Sequence, residues 1–254
     1  MGAYNNLDPA IAGLRLGIES LSDFIETFRS ADPAAIMPYG VPVFMNPGDE
    51  PNGYLAHQDT AVITCSGSFT GSDTAIIVTL NGTPLASIGY AVSSATTGAA
   101  VRAAILAALS AISGTTCVFD DSAHTFTIFT PGYDLTATLA SSGGVTATTA
   151  YSSSMIFMGV SVFDQVSYRD STGGYPLDVS GNMTYFGLIW VNTSVAVKSG
   201  QDAYVILASG ATQGKFTNVS TNNYACKAIF RSTTTGAGLV LIELRGKQNY
   251  AGTL

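Results

Sequence analysis

Charge is scarce in this chain. Asp, Glu, Lys and Arg make up 11% of it, against about a quarter in an ordinary soluble domain. That excludes a surface laced with ion pairs, and the crowding of Gly, Ser, Thr and Ala suits a neutral, assembly-prone one instead. Basic residues are the scarcer sign, 10 against 17 acidic, for a formal net charge of −7. Neutralising phosphates needs the opposite balance, so no nucleic acid partner is expected.

There are three cysteines. Cys65, Cys117 and Cys226 are odd in number, widely spaced and without a C-x-x-C pair, which argues against zinc binding and thiol exchange and reads as buried free thiols. The start, MGAYNNLDPAIAGLRLGIES, lacks a basic segment followed by an apolar one, so no secretory signal is expected and synthesis in a cytoplasm is. Long apolar runs are missing too. The longest, Ala99 to Ile112, contains Arg102 and falls short of the about 20 residues a membrane-spanning helix needs, so no membrane partner is expected.

What is present is β-strand signal. Apolar residues make up 46% of 254, enough for one large core or two modest ones. A short pattern occurs twice, Gly40-Val41-Pro42-Val43-Phe44 and Gly159-Val160-Ser161-Val162-Phe163. Its alternation is that of a strand, whose side chains point to opposite faces at a period of two. Pro42 cannot donate to a ladder, which puts the first copy at a sheet edge or a bulge.

Before the first copy, Leu14, Ile18, Leu21, Ile25 and Phe28 recur at spacings of four and three, the stripe of a helix ending near Asp32-Pro33. Such a segment, assigned to residues 1–35, either caps its own domain or forms an arm that docks on a neighbour. Those five apolar residues are the candidate interface.

Between Asp59 and Tyr151, Arg102 is the only Lys or Arg, and this shift in composition marks a separate domain, residues 59–152. Strands are expected at Ala61–Cys65, Thr74–Leu80, Leu85–Tyr90, Thr125–Phe129 and Leu135–Leu139, with Asn81-Gly82 as a hairpin turn. A helix is expected from Thr97 to Ile112, with Val101, Ile105, Leu109 and Ile112 as its stripe. After Met155, short strands and turns follow at regular spacing, the pattern of a sandwich or barrel. The expected fold is therefore mainly β. A β-sandwich or barrel (36–58 and 153–254) is interrupted by an α+β insert carrying one helix, at a loop tip of the kind that tolerates insertion.

Chemistry-bearing residues are thin. His57 and His124 read as junction and turn residues, and no G-x-S-x-G elbow accompanies them. Asp120 and Asp121 lack EF-hand spacing and read as a solvated turn. Ser209 to Phe216 imitates a phosphate loop but has Ser209 where the first Gly belongs and Phe216 in place of the magnesium-binding hydroxyl. Asp164, Asp170 and Asp178 give no spacing that selects a glycosidase pair. Trp190, as the alternating neighbour of Leu188, reads as core. Its alternative is a platform for sugar, with Tyr90 and Tyr133, in a receptor- or glycan-binding tail module. No catalytic residue, metal ligand or cofactor is assigned.

The course from IMPYGVPVF through MIFMGVSVF to TYFGLIWVNTSVAVKSGQDAYVILASGATQGKFTN and AIFRSTTTGAGLVLIELRG resembles the structural cement, or capsid decoration, proteins of tailed bacteriophages. The resemblance covers about residues 36–55 and 155–246. The middle segment, with VTLNGTPLASIGY and HTFTIFTPGYDLTATL, looks like small modules inserted in phage structural proteins. The resemblance implies a non-enzymatic virion protein on the capsid exterior, made in the host cytoplasm. It also implies binding to the major capsid protein and association as a homotrimer; the insert departs from a minimal cement protein and either shares in the cementing or projects outward, where it can contact a host surface.

Overall fold

In the computed structural model the two echoed segments lie side by side. The structure describes residues 15–16, 25–32, 36–46, 51–67, 69, 75–91, 93–163 and 173–246. Strand Pro42–Met45 runs antiparallel to Ile156–Ser161, with Pro42 opposite Val160 and a bulge at Met158. Pro42 stands on the outermost strand of its sheet, where its missing N–H removes no interior ladder bond. The two glycines serve different needs. Gly40 turns the chain at φ 73°, whereas a Cβ on Gly159 would meet the Thr184 carbonyl oxygen at 2.4 Å.

The chain divides into two compact units, Met1–Ala56 with Met155–Leu254, and His57–Ser154. Both are mainly β, and the described residues contain one helix.

In the first unit one sheet has the order Pro42–Met45, Ile156–Ser161, Ser180–Thr184, Ile25–Ser30, Asn52–Gly53. It is covered on both faces, which is why strand Pro42–Met45 is apolar and buried throughout. Phe44, Phe157 and Val160 face one core. Val43, Phe28 and Met183 face another with Met37, Tyr39 and Tyr175. There Tyr175 meets Tyr39 and Phe28 edge to face, at 5.2 and 5.6 Å between ring centroids, and its hydroxyl donates to the Val162 carbonyl at 2.7 Å. A second sheet has the order Arg15–Leu16, Phe186–Thr193, Phe216–Thr217, Asp202–Ile206, Asn223–Phe230, Gly238–Arg245. Its last strand also pairs with Phe186–Thr193, from Phe186 opposite Arg245 to Thr193 opposite Gly238, so the pairings run in a ring. Ile189, Val191, Val205, Phe216, Phe230, Val240 and Ile242 point inward to the core that Phe44 and Phe157 also enter.

The helix expected to run as far as Phe28 is corrected here. Ile25–Ser30 is a strand, with Phe28 and Ser30 buried and Thr27 and Arg29 exposed, a period of two. Its backbone fills the slot between Ser180–Thr184 and Asn52–Gly53. Those ladder bonds override a helical spacing of apolar side chains, which carries no information about distant partners. Phe28 is committed to the unit's own core at 2% exposure. Ile25 is half-buried. Leu14, Ile18 and Leu21 lie outside the described residues.

In the second unit an antiparallel sheet has the order Thr146–Ser152, Thr60–Ser66, Thr125–Phe129, Thr116–Asp120, and a smaller one the order Ala137–Ser141, Ile76–Leu80, Thr83–Pro84. Asn81 and Gly82 both take positive φ, 47° and 78°, as a tight hairpin turn requires. The helix spans Ser94–Ala108, starting three residues before the expected Thr97 because Ser93 caps it, its Oγ accepting the Thr96 N–H at 3.2 Å. Val101 and Ile105 enter the core with Ile63, Val78, Phe126, Ile128 and Leu139. Gly98 lies within this helix because the Phe119 ring sits where its Cβ would be, 2.1 Å away. The expected strand Leu85–Tyr90 reduces to a single bridge at Ile88. Thr116–Asp120 and Thr146–Ser152, not anticipated, complete the larger sheet.

Candidate interaction surface

The residues flagged for chemistry are engaged in holding the fold. His57 is buried, its Nδ1 3.2 Å from Asp134 Oδ1. Asp134, which no motif singled out, also accepts the Gln58 N–H at 3.1 Å, and Gln58 Nε2 donates to the Leu135 carbonyl at 2.8 Å. Asp59 accepts from the Ser154 N–H at 2.8 Å, the Ser154 hydroxyl at 2.7 Å and the Thr60 hydroxyl at 3.0 Å. Burial holds the Asp59 carboxyl above the usual carboxylate range, partly offset by the Ser154 and Thr60 bonds. Together these groups tie the first residues of the second unit, 57–59, to its segment 134–135 and to its last residue.

The remaining candidates stand apart. His124 occupies a hairpin turn at φ 51°. Asp120 accepts from the hydroxyl and N–H of Ser122 and from the Ala123 N–H, and the Ser122 hydroxyl bond leads in lowering its pKa. Asp121 accepts from the Ser94 hydroxyl at 2.8 Å. All three cysteines are free thiols. Burial pushes Cys65 and Cys117 up to about 11 and Cys226 to about 12, so none is a ready nucleophile at neutral pH. Phe216 is core, which removes the imitation phosphate loop. Asp178 pairs with Arg29 at 2.6 Å on the surface, and Asp164 and Asp170 lie outside the described residues. Among the described residues no group of three or more His, Cys, Asp or Glu is placed to hold a metal ion.

The outward face of the ring sheet is different in character. Strand Phe186–Thr193 sends Ile189 and Val191 inward, so Trp190 and Leu188 turn outward and are half-buried, the reverse of the expected phase. Trp190 stands opposite Leu241, Leu188 opposite Glu243 and Phe186 opposite Arg245. Phe186 is 43% exposed. Arg231 and Arg245 flank Glu243, and Arg231 forms an ion pair with it. An aromatic and aliphatic strip with arginine at its rim has the composition of a protein-binding patch, not of a cleft for small-molecule chemistry.

Residues 132–245 match the family described as structural cement protein (E217 gp24/Pam3 gp6). The match to a phage structural cement family covers that part of the chain. That family is one of virion structural proteins without catalytic activity. The matched segment contains every strand of the ring sheet except Arg15–Leu16, together with Ile156–Ser161 and Ser180–Thr184, and it also takes in Ala137–Ser141 and Thr146–Ser152 of the second unit. It therefore includes the whole Phe186–Trp190–Leu241 strip. No curated protein matches the chain.

Proposed function

We propose that this protein binds the outer surface of a phage shell, bridges neighbouring copies of the major capsid protein and associates as a homotrimer. The family match over 132–245 is the observation that carries this reading. The outward strip supports it, because a cement needs a few large anchors in a neutral patch, and repeated placement on a symmetric shell multiplies weak contacts. On this reading the second unit is an autonomous insert that projects outward, and the segment before Ile25 contacts a coat subunit or a neighbouring copy.

The test is to add purified protein to mature capsids lacking it and sediment the mixture, with its own mass measured by light scattering. Expected is a trimer that pellets with shells and raises their melting temperature through binding linkage. Protein left in the supernatant overturns the reading. Glycan binding in that case would favour the tail-module alternative, for which half-exposed Trp190 is the supporting observation.

A further inference from the structure

Strand Thr116–Asp120 is the outermost strand of the second unit's larger sheet. Its hydrogen-bonding phase follows from its neighbours. Thr130 donates its N–H to the Asp59 carbonyl at 2.8 Å, and Cys65 donates to the His124 carbonyl at 3.0 Å. The even-numbered residues of Thr125–Phe129 therefore bond towards Thr60–Ser66, and the odd-numbered ones bond to their register partners Asp120, Val118 and Thr116. Cys117 and Phe119 are left with N–H and C=O directed away from the sheet.

Native edges are blunted by Lys, Pro, a bulge or an inward charge, because a row of open backbone groups is a template for another strand. This edge has none of them. Its sequence is Thr-Cys-Val-Phe-Asp, its register is unbroken, and Val118 is 61% exposed. The Asp120 carboxylate is turned into its own hairpin turn. What does reach the edge comes from the helix: Arg102 Nε donates to the Cys117 carbonyl at 2.6 Å. A guanidinium bond of this kind is charge-assisted and stronger than the neutral amide bond an incoming strand would offer. Arg102 is also the only Lys or Arg between Asp59 and Tyr151.

We propose that Arg102 guards an open sheet edge: its guanidinium occupies the Cys117 carbonyl and keeps strand Thr116–Asp120 from pairing with the same strand of a second copy of this chain. The inference holds whatever the protein binds, since it concerns the second unit alone. It is tested in the full chain with Arg102→Met, which keeps the apolar stem and removes the donor, and with Val118→Lys, which places a charge on the outward face of the strand. Expected is that R102M sediments at a multiple of the wild-type mass, with slowed hydrogen exchange at the Cys117 and Phe119 amides. The R102M/V118K double variant should return to the wild-type mass. R102M with wild-type mass and an intact near-ultraviolet spectrum overturns the proposal, as does association that V118K leaves in place. An unfolded R102M that V118K does not rescue would assign the arginine to folding and equally overturn it.

Discussion

Asp59 and Ser154 close the second unit on itself: one carboxylate accepts both the backbone N–H and the hydroxyl of the unit's last residue, at 2.8 and 2.7 Å. Asp59 is fully buried, so the bonds replace water that the group has lost. Removing the acceptor strands the Ser154 donors. Asp59→Ala is expected to destabilise the unit by about 1–3 kcal/mol in urea unfolding.

The same carboxyl sets a pH dependence. Its folded pKa is raised above the unfolded value, chiefly by burial. Between those two values the folded state binds the extra proton, so this group's contribution to stability falls as pH rises through the window above the ordinary carboxylate pKa. Asp59→Asn should flatten that slope. Melting temperature against pH for the two proteins checks it, and an unchanged slope would place the titration elsewhere.

Gly159 tests the close approach of two strands. A Cβ there would meet backbone atoms, the Thr184 oxygen at 2.4 Å and carbon at 2.9 Å. Gly159→Ala is therefore expected to cost about 1–3 kcal/mol by overpacking. Gly236 is the control, with open space around its Cβ position and no positive φ. Gly236→Ala should be neutral or stabilising by about 0.4–1 kcal/mol. The thermal melting temperature should fall for Gly159→Ala and hold or rise for Gly236→Ala.

The outward strip is tested by substitution where the core is untouched. Trp190→Ala with Leu241→Ala is expected to weaken capsid affinity by about 30-fold or more, the effect of losing a central anchor. The near-ultraviolet spectrum apart from the lost tryptophan should persist. Full occupancy by the double variant would move the docking face away from strands Phe186–Thr193 and Gly238–Arg245.

Residues 57–154 expressed alone are expected to fold, because their two sheets and helix share one core. A cooperative urea transition with native-like amide dispersion is the measurement. A molten fragment would mean that its core needs the rest of the chain.

Several of these features were legible without coordinates. Asn81-Gly82 was readable because a two-residue turn is decided by which residues tolerate positive φ, a local property. The helix was readable from Val101 and Ile105, although its start waited on the Ser93 cap. Thr116–Asp120 is not legible in this way, because Thr-Cys-Val-Phe-Asp carries no clear alternation and becomes a strand by pairing with Thr125–Phe129. The face of Trp190 is not legible either. A run of apolar residues such as Phe-Gly-Leu-Ile-Trp-Val has no intrinsic phase, and the register with Gly238–Arg245 sets which side is core.

By itself the sequence determined a mainly β chain with one helix and a sparsely charged composition, because composition and turn chemistry act residue by residue. It also held the pattern that the cement family shares. Only the tertiary structure decided that Ile25–Ser30 is a strand, that the two echoed segments pair, that His57 meets Asp134, and that Arg102 reaches the Cys117 carbonyl. Each of those joins residues far apart in the chain, and a backbone group finds such a partner only when the rest of the fold brings it within hydrogen-bonding distance.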